Sequence, residues 1–573
     1  MQESQPLPKI PMLVIASLQG IFLYLLYRAF DQDLWPSESP LWSYPLWTTV
    51  LAVPVLLLLS IDRSNAVAVY RQVGIFGGVL ALVAIYTGWQ AEPFGEFRVS
   101  SMSFAFAVSI TLACFKGLMY LQQRASGIPL SYPVLFTYSW RNFLVAALSA
   151  LFVLVFWLIL MLWAQLFRVI KIDFFFDLFT EEWFVIPILS FAFGVGVIMF
   201  RALTRILDTI TSLLHWLIKL LLPLVVIIAV IFLASLPFVG LDVLWSTGNG
   251  TALLLWLLAI MLFFVNAVYQ DGREATPYPQ VIHRFIFLGL GVMPILSALS
   301  FYGLSLRIEQ YGWSVERCWA FVVWLILSLF AVGYFVGIVR RRDQWTNDLA
   351  RVNTAMGLVV LAIMLLANSP VLDFRKISLA SQLRMVESGE TELRAFDFWY
   401  TRQHLARPGY LAMEKMKQDI GDTDPELLAR IENPARLGPA ASVRNDDKMW
   451  AKMRYRPEPF EVPADLKPLI SAYSGSIAAT DPILIRADLN EDGQHEYLLL
   501  TLYDDGVGFT QFYYQTDSGW QSGQLYNSAG PYSREGTRDR IENGDIAALE
   551  PRFKDIDIGG IVLRPLPKER PPE

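Results

Sequence analysis

Residues 142–167 read NFLVAALSALFVLVFWLILMLWAQLF, and none of these 26 side chains is charged. Because a helix needs about 20 apolar residues to cross a bilayer, this stretch is long enough to span a membrane. Ten further stretches of the same character occur in the first 371 residues, so the sequence predicts a polytopic α-helical membrane bundle of about eleven transmembrane helices. The predicted spans cover residues 12–30, 42–61, 72–89, 101–121, 142–167, 183–200, 220–239, 252–269, 285–305, 318–339 and 352–370.

The composition of the whole chain excludes two other classes of protein. Of the 573 residues, 54% are hydrophobic and only 17% are charged, whereas a soluble domain has about 25% charged residues. A single soluble globule and a disordered chain are therefore both excluded. The only cysteines, Cys114 and Cys318, lie in predicted spans, so no disulfide is expected in the rest of the chain.

Charge divides the chain at residue 371. Residues 1–371 carry 21 Lys and Arg against 19 Asp and Glu, a net charge of +2, whereas residues 372–573 carry 25 against 33, a net charge of −8. A segment of that length can bury its own core. We therefore predict a membrane domain followed by a separate acidic tail, whose charge disfavours nucleic acid and anionic lipid as its partners.

The distribution of positive charge predicts the orientation in the membrane. With residue 1 in the cytoplasm, the cytoplasmic segments carry 13 Lys and Arg and the opposite segments carry six. The cluster Arg340 to Arg342 stands directly before the last span and indicates the side on which that span begins. Because the number of spans is odd, we expect a bacterial inner-membrane protein with a cytoplasmic N-terminus and a periplasmic tail.

The tail is predicted to contain three segments. Residues 372–420 have the spacing of juxtamembrane helices, residues 421–475 form a connector, and residues 476–573 form a small β-rich domain. The predicted strands cover residues 482–487, 497–503, 508–515, 520–525 and 561–563. Together these segments predict an extracytoplasmic α+β tail with a small antiparallel sheet.

The loop between the first two predicted strands is a candidate metal site. It reads DLNEDGQHE over residues 488–496, and its oxygen-bearing side chains alternate as Ca²⁺ requires, while Gly493 permits a sharp turn. The candidate ligands are Asp488, Asn490, Asp492, Gln494 and Glu496. The loop resembles the strand-connecting loops of FG-GAP repeats, and this resemblance implies a hairpin stiffened by Ca²⁺. A turn that needs no metal is the alternative.

A second candidate site is a polar stripe in the membrane domain. Its residues recur every three or four positions and would share one face of a helix. They are Arg201, Arg205, Asp208, Ser212, His215 and Lys219. One interpretation is an interfacial helix whose cations face lipid headgroups. The other is a polar cavity between helices, where His215 and Lys219 meet an anionic substrate or relay protons.

The sequence lacks the motifs of common enzyme classes. It contains no P-loop, no His-Glu-x-x-His, no Gly-x-Ser-x-Gly and no Cys-x-x-Cys, and no nucleotide, flavin or haem signature. We therefore expect a protein without enzymatic activity. An intramembrane enzyme would require the acidic residues at the outer boundary to converge on a cleft, namely Asp173, Asp177, Glu181 and Glu182.

Two motifs carry a wider resemblance. They are SLRIEQYGWSVER over residues 305–317, and FDFWY over residues 396–400 with Gly409-Tyr410. Both resemble motifs of DUF4153, an uncharacterised family of bacterial inner-membrane proteins defined by a domain of unknown function. The resemblance implies residence in the inner membrane and supplies no activity or catalytic residue. From its residues alone, Gly312 is predicted to permit a turn and Ser314 to cap the next helix.

Two functions from different classes fit these observations, and the lipid bilayer is a partner in both. The first is a non-enzymatic protein whose periplasmic tail binds or senses an envelope component, which is a protein, a lipid or a glycan. The alternative is a secondary transporter or lipid translocator with an accessory tail. The scarcity of charged residues within the spans counts against transport, and eleven spans exceed what the anchoring of a tail requires.

Overall fold

A computed structural model describes thirteen ranges of the chain. They are residues 7–246, 249–269, 277–342, 345–421, 424–432, 449–456, 460–471, 481–489, 493–503, 506–516, 519–524, 556–558 and 561–563. The chain divides into two compact units. The first comprises residues 1–385 and 403–411, and the second comprises residues 386–402 and 412–573.

The described residues contain eleven helices that are long and apolar enough to cross a membrane, which confirms the predicted bundle. Two short helices, Phe174–Thr180 and Leu241–Ser246, lie between these spans. In chain order the helices are α1 (Lys9–Asp31), α2 (Pro40–Ser60), α3 (Ala66–Gln90), α4 (Ser100–Ala125), α5 (Tyr132–Val169), α6 (Phe174–Thr180), α7 (Glu182–Ala202), α8 (Thr204–Val239), α9 (Leu241–Ser246), α10 (Gly250–Tyr269), α11 (Gln280–Tyr311), α12 (Val315–Arg341) and α13 (Thr346–Leu366).

Successive spans cross in alternating directions, which gives the bundle two ends. We call the end that carries Arg340 to Arg342 the basic end. It also contains the start of α1, the connections at residues 60–66, 125–132 and 202–204, the end of α10 and the starts of α11 and α13. The opposite end contains the start of α10 and residues 366–374, where the tail begins.

Helix α8 is longer than its predicted span because the amphipathic segment before residue 220 is helical too. Its 36 residues correspond to a length of about 54 Å at 1.5 Å per residue, whereas the hydrocarbon core of a bilayer is about 30 Å thick. The first part of α8 therefore extends beyond the hydrocarbon at the basic end. Its side chains also join two cores, since Leu207 packs with residues of α1 to α5 and α7, whereas Leu222 packs with residues of α10 to α13.

The connection before α12 has the structure predicted from its sequence. Gly312 adopts a φ of 66°, a backbone conformation that favours glycine. The hydroxyl of Ser314 accepts a hydrogen bond from the backbone N–H of Arg317 at 3.3 Å and caps the helix. The prediction of a turn followed by a capped helix is confirmed.

Among the described residues, helices also follow the last span. They include α14 (Phe374–Glu387), α15 (Phe398–His404), α16 (Ala406–Ile420), α17 (Pro425–Glu432) and α18 (Lys467–Ser471). The strands are β1 (Arg454–Arg456), β2 (Asp481–Ala487), β3 (Glu496–Tyr503), β4 (Gly506–Thr516), β5 (Gly519–Gln524), β6 (Ile556–Ile558) and β7 (Ile561–Leu563). The segment predicted as a connector thus contributes α17, β1 and α18.

The tail contains a five-stranded sheet in the order β1-β2-β3-β4-β5, together with a separate β6-β7 pair. Strands β2 to β5 are antiparallel, as predicted, but β1 pairs with β2 in parallel. The sheet is therefore mixed, because a short segment remote from the hairpins adds to the free edge of β2. On one face Leu484, Leu499 and Tyr513 are fully buried against helical residues that include Met449 and Ile470.

The contact between α2 and α3 provides a test of this packing. A Cβ atom at Gly88 would overlap the carbonyl oxygen of Pro40, which is backbone and cannot rotate away, whereas a Cβ atom at Gly78 meets nothing within 4 Å. We expect Gly88→Ala to lower the free energy of unfolding by about 1–3 kcal/mol, since overpacking forces the backbones apart. Gly78→Ala on the same helix should be neutral or stabilising. Equal thermal stability of the two variants in detergent would contradict the described packing.

Candidate functional site

The tail loop is described in part. Asn490 and Asp492, two of the predicted ligands, lie outside the described residues. Asp488 and Glu496 flank the loop, and Gln494 is exposed. Glu496 pairs with Ala487 across the β2-β3 hairpin, so the loop closes a single pair of strands.

Carboxylates hold the ends of this loop. The backbone N–H of Leu489 donates to Oε2 of Glu496 at 2.7 Å, and that of Gly493 donates to Oδ2 of Asp488 at 3.0 Å. The other oxygen of Asp488 is shielded from solvent and has no hydrogen-bond partner among the described residues. No group of three or more His, Cys, Asp or Glu residues in the described parts of the chain has the geometry of a metal site. Oδ1 of Asp488 is thus available for a cation. The other predicted ligands are Gln494, whose side chain is exposed, and Asn490 and Asp492, which lie outside the described residues.

The structure separates Arg201 from the rest of the predicted polar stripe. Helix α7 ends at Ala202, and Leu203 breaks the helix before α8 begins. Arg201 is 7% exposed and donates through Nη1 to the carbonyl oxygens of Leu58 and Ile61 at 2.7 and 2.9 Å. Its Nη2 lies 2.8 Å from Oδ1 of Asp62. Arg201 therefore satisfies the carbonyl groups at the end of α2, a role that the spacing of the stripe did not predict.

Four residues of the stripe line one cleft at the basic end. Its volume is about 730 Å³, and it lies between α5 and α8. The four residues are Asp208, Ser212, His215 and Lys219, and α5 contributes Phe136, Trp140 and Arg141. Arg205 is exposed and does not line the cleft. The α8 portion of the stripe thus faces a space between helices at the membrane boundary.

Aromatic rings surround the basic and imidazole groups of this cleft. The ring of His215 packs edge-on against Trp140 with 4.7 Å between centroids. Nζ of Lys219 lies 5.2 Å from the ring centroid of Trp216 and 5.6 Å from that of Tyr278. Both distances are within the range of a cation–π interaction. The ammonium group is therefore positioned between two rings.

The acidic residues at the opposite end do not form a catalytic cleft. All four are exposed, namely Asp173, Asp177, Glu181 and Glu182. Asp173 pairs with Arg168 at 3.6 Å, and Glu182 accepts a hydrogen bond from the hydroxyl of Tyr27 at 3.0 Å. This dispersal counts against an intramembrane enzyme built on these carboxylates.

Sequence reasoning missed an apolar groove between α2, α4 and α5. Its volume is about 670 Å³, and none of the described residues that line it is charged. The walls include Trp47, Leu51 and Val55 on α2, Ala107 and Leu118 on α4, and Phe143 on α5. Leu51 and Phe143 are 49% and 54% exposed, so the groove opens on the outer surface of the bundle. No pattern along one helix predicts it, because three helices must meet to form it.

Several polar groups that line the groove are satisfied within the protein. The hydroxyls of Ser103 and Thr111 each donate to the carbonyl oxygen four residues earlier, at 2.8 Å. Ser103 also pairs with the hydroxyl of Tyr44 at 2.6 Å. The amide of Asn142 donates to Oε1 of Gln122 at 2.7 Å. The surface that remains for a ligand is therefore hydrocarbon-like.

A buried charged pair, which sequence reasoning also missed, lies where the tail begins. Asp373 is 3% exposed and Arg375 is 7% exposed, and Nε of Arg375 lies 2.8 Å from Oδ1 of Asp373. Oδ2 of Asp373 accepts hydrogen bonds from the hydroxyl of Tyr86 at 2.7 Å and from Nε2 of Gln90 at 3.0 Å. Nη1 of Arg375 contacts the sulfur of Met102 at 2.6 Å. We call Tyr86, Gln90, Met102, Asp373 and Arg375 the tail-root cluster.

The sequence offered a weak signal for this cluster. An Asp-Phe-Arg triplet directly after an apolar span indicates charges at a membrane boundary. Its partners Tyr86 and Gln90 lie more than 280 residues earlier. A single sequence therefore gives no indication that the pair is buried.

The tail-root cluster makes a prediction about stability. Asp373→Asn leaves the buried guanidinium of Arg375 without its counter-charge, so we expect the free energy of unfolding to fall by about 3–5 kcal/mol. Asp31→Asn is the matched control, because Asp31 belongs to the solvent-exposed pair with Arg28 and such pairs contribute less than about 1 kcal/mol. The double variant Asp373→Asn with Arg375→Met should recover part of the loss. Denaturation in detergent measures the free energy of unfolding of the parent and of the three variants. Similar losses for Asp373→Asn and Asp31→Asn would contradict the role of the buried pair.

Comparison with known proteins places these features in a family. The sequence profile described as Domain of unknown function (DUF4153) matches residues 51–416. The match includes both sequence motifs, the tail-root cluster and the α5 and α8 walls of the cleft, whereas the loop at residues 488–496 lies beyond it. No curated protein and no solved structure matches the chain. Since the match extends over more than half of the protein and over the helices that form its groove and cleft, this polytopic membrane chain belongs to the DUF4153 family.

Proposed function

We propose that this protein handles a lipid of the bacterial envelope. In this proposal it resides in the inner membrane, and the groove between α2, α4 and α5 binds a lipid acyl chain. The tail lies on the periplasmic side and binds or senses an envelope component. The observation that carries the proposal is the groove itself, which has no charged lining residue among those described.

The polarity of the groove favours a lipid chain over a polar solute. A substrate with charges or many hydroxyls would need polar partners in the bilayer, because unpaired polar groups are costly there. The hydroxyls of Ser103 and Thr111 are already engaged with their own helix. Elsewhere in the spans, Oδ1 of Asn266 accepts from Tyr334 at 2.8 Å and from Asn353 at 2.6 Å. These polar groups thus pair with one another or with their own helix, which supports lipid handling rather than transport of polar solutes.

The dimensions of the groove also suit an acyl chain. On α4 the lining extends from Ser103 to Leu118, a distance of about 22 Å along the helix axis at 1.5 Å per residue. The hydrocarbon core of a bilayer is about 30 Å thick. An acyl chain in the groove would therefore extend through most of the depth of the membrane. It would contact helix side chains instead of other lipid chains.

The start of the tail is close to the groove at the opposite end. Ser103 lines the groove, and its neighbour Met102 belongs to the tail-root cluster, where it contacts Arg375. The same helix α4 thus forms a wall of the groove and holds the first residues after the last span. This connection supports a tail whose activity depends on what the groove contains.

Photolabelling tests the groove. A phospholipid with a diazirine in its acyl chain, incorporated into nanodiscs with the full chain, should label groove residues on α2, α4 and α5. Ala107→Trp fills the groove and should reduce that labelling by about fivefold or more, because the indole occupies the site of the chain. Mass spectrometry of the labelled peptides measures the change.

Val108→Trp is the matched control for this experiment. Val108 is adjacent on α4, is 43% exposed and does not line the groove, so its substitution should leave the labelling pattern unchanged. Labelling spread evenly over all lipid-facing helices, or equal effects of the two tryptophans, would overturn the acyl-chain site.

For the tail we propose that the loop at residues 488–496 holds Ca²⁺ on the periplasmic side. The excess of Lys and Arg at the basic end supports this orientation, since positive segments stay in the cytoplasm. Oδ1 of Asp488, which has no hydrogen-bond partner among the described residues, supports the cation. Extracellular calcium sites fill at about 0.1–1 mM. Bound Ca²⁺ would fix the β2-β3 hairpin for recognition of the envelope component.

Proteolysis of the full chain in membranes tests both parts of this proposal. Trypsin should cut the tail in spheroplasts and spare it in sealed inverted vesicles. Ca²⁺ at about ten times its dissociation constant should slow the cutting by about tenfold, because a ligand of the folded state stabilises it. Asp488→Ala should abolish the effect of Ca²⁺, whereas Asp465→Ala at an exposed position of the tail should retain it.

The two parts fail in different ways. Cutting only in inverted vesicles would show that the tail is cytoplasmic. Cutting in spheroplasts at a rate that Ca²⁺ does not change would reduce the loop to a turn without metal. Neither result depends on the photolabelling of the groove.

A further inference from the structure

The cleft between α5 and α8 is a second site of different chemistry. It lies at the basic end and shares no lining residue with the groove. Its lining includes the cations Arg141 and Lys219 and the carboxylate of Asp208. The cleft therefore differs from the groove in having charged groups available to a ligand.

The two cations retain donors for such a ligand. Arg141 uses Nη2 to donate to the carbonyl oxygen of Arg201 at 3.1 Å, and a guanidinium has five N–H donors. The ammonium of Lys219 lies beside the rings of Trp216 and Tyr278. No carboxylate among the described residues lies within ion-pair distance of Lys219. Both groups are therefore positioned to bind an anion.

The position of Lys219 corresponds to the level of lipid headgroups. The 20 residues from Leu220 to Val239 complete α8, and they span about 30 Å at 1.5 Å per residue. That length equals the thickness of the hydrocarbon core, so Lys219 lies at its boundary on the basic end. Trp216 and Tyr278 beside it are the residue types typical of this boundary.

The surface next to the cations is apolar. Leu213, Trp216, Leu217 and Leu220 on the same helix are 65%, 71%, 54% and 76% exposed. A ligand that contacts both this surface and the ammonium of Lys219 must join an anionic group to hydrocarbon chains. A lipid satisfies both requirements, whereas free phosphate satisfies only one.

From this arrangement we infer that the cleft between α5 and α8 binds the phosphate headgroup of an anionic phospholipid in the leaflet at the basic end. Lys219 contacts the phosphate, Trp216 contacts the glycerol and the first methylenes of the chains, and Arg141 adds positive charge at the other end of the cleft. Basic pockets between transmembrane helices are suited to such headgroups. The site is distinct from the acyl-chain groove, with which it shares helix α5 but no lining residue, and which has no charged lining residue among those described.

Native mass spectrometry of the full chain in detergent tests the inference. Phosphatidylglycerol and phosphatidylcholine are titrated separately, and we expect a bound phosphatidylglycerol that phosphatidylcholine does not replace. Lys219→Gln should weaken it by about fivefold, the factor expected for one cationic contact with an anionic lipid, and Arg141→Gln should weaken it less, because the guanidinium is held at the other end of the cleft. Lys219→Arg should retain binding, because the charge is kept.

Arg205→Gln is the matched control, since it removes one positive charge from α8 outside the cleft. Its affinity for phosphatidylglycerol should stay within about twofold of the parent, as expected for a distant screened charge. Equal losses for Arg205→Gln and Lys219→Gln would overturn the inference, because binding would then follow surface charge alone. Inorganic phosphate at about 10 mM provides the second arm. If it displaces the lipid with the same dependence on Lys219, the cleft is a site for soluble phosphate and the inference is wrong.

Two further measurements keep this result interpretable. Thermal unfolding of each variant shows whether the bundle remains folded, so that a loss of binding is not a loss of structure. Ala107→Trp, which fills the groove, should leave the binding of phosphatidylglycerol to the cleft unchanged. If Ala107→Trp lost both the acyl-chain labelling of the groove and the binding of phosphatidylglycerol, the two sites would be one, which contradicts the inference.

Discussion

Every polar group that enters the hydrocarbon of a bilayer must find its partner inside the protein, and the rest of this structure depends on that constraint. Helices satisfy their own backbones except at their ends, where carbonyl groups remain. At the basic end, Arg201 donates to two such carbonyls of α2 and pairs with Asp62. Arg141 of α5 binds the carbonyl of Arg201 in turn. One buried side chain thus joins the ends of α2, α5 and α7.

The same principle operates at the opposite end with Asp373 as its centre. Both oxygens of this buried carboxylate accept hydrogen bonds. Oδ2 accepts from Tyr86 and Gln90 of α3, and Oδ1 accepts from Arg375, which follows the last span. Arg375 extends the contacts to α4 through Met102. The first junction holds α2 and α5 at the basic end, and the second holds α4 at the opposite end. Each helix that forms the groove is thus fixed at one of its ends.

Helix α5 serves both candidate lipid sites with adjacent residues. Asn142 and Phe143 line the groove, whereas Trp140 and Arg141 line the cleft. Positions one or two residues apart on a helix, such as Arg141 and Phe143, face different directions, so one helix can present a neutral surface to an acyl chain and a cation to a headgroup. Helix α8 divides its surface in a similar way, with polar side chains toward the cleft and large apolar side chains exposed beside it. The two sites therefore follow from the faces of two long helices.

The sequence by itself determined the elements that depend on local pattern. The eleven spans, strands β2 to β5, the turn at Gly312 and the cap at Ser314 follow from hydrophobic runs, alternation and residue chemistry that act over a few positions. Only the tertiary structure decided which residues meet. It assigned Arg201 to the end of α2 instead of a stripe with Lys219, paired β1 in parallel with β2, and buried Asp373 beside Tyr86. Periodicity identifies the face on which a residue lies, but the partner of that face comes from a distant part of the chain.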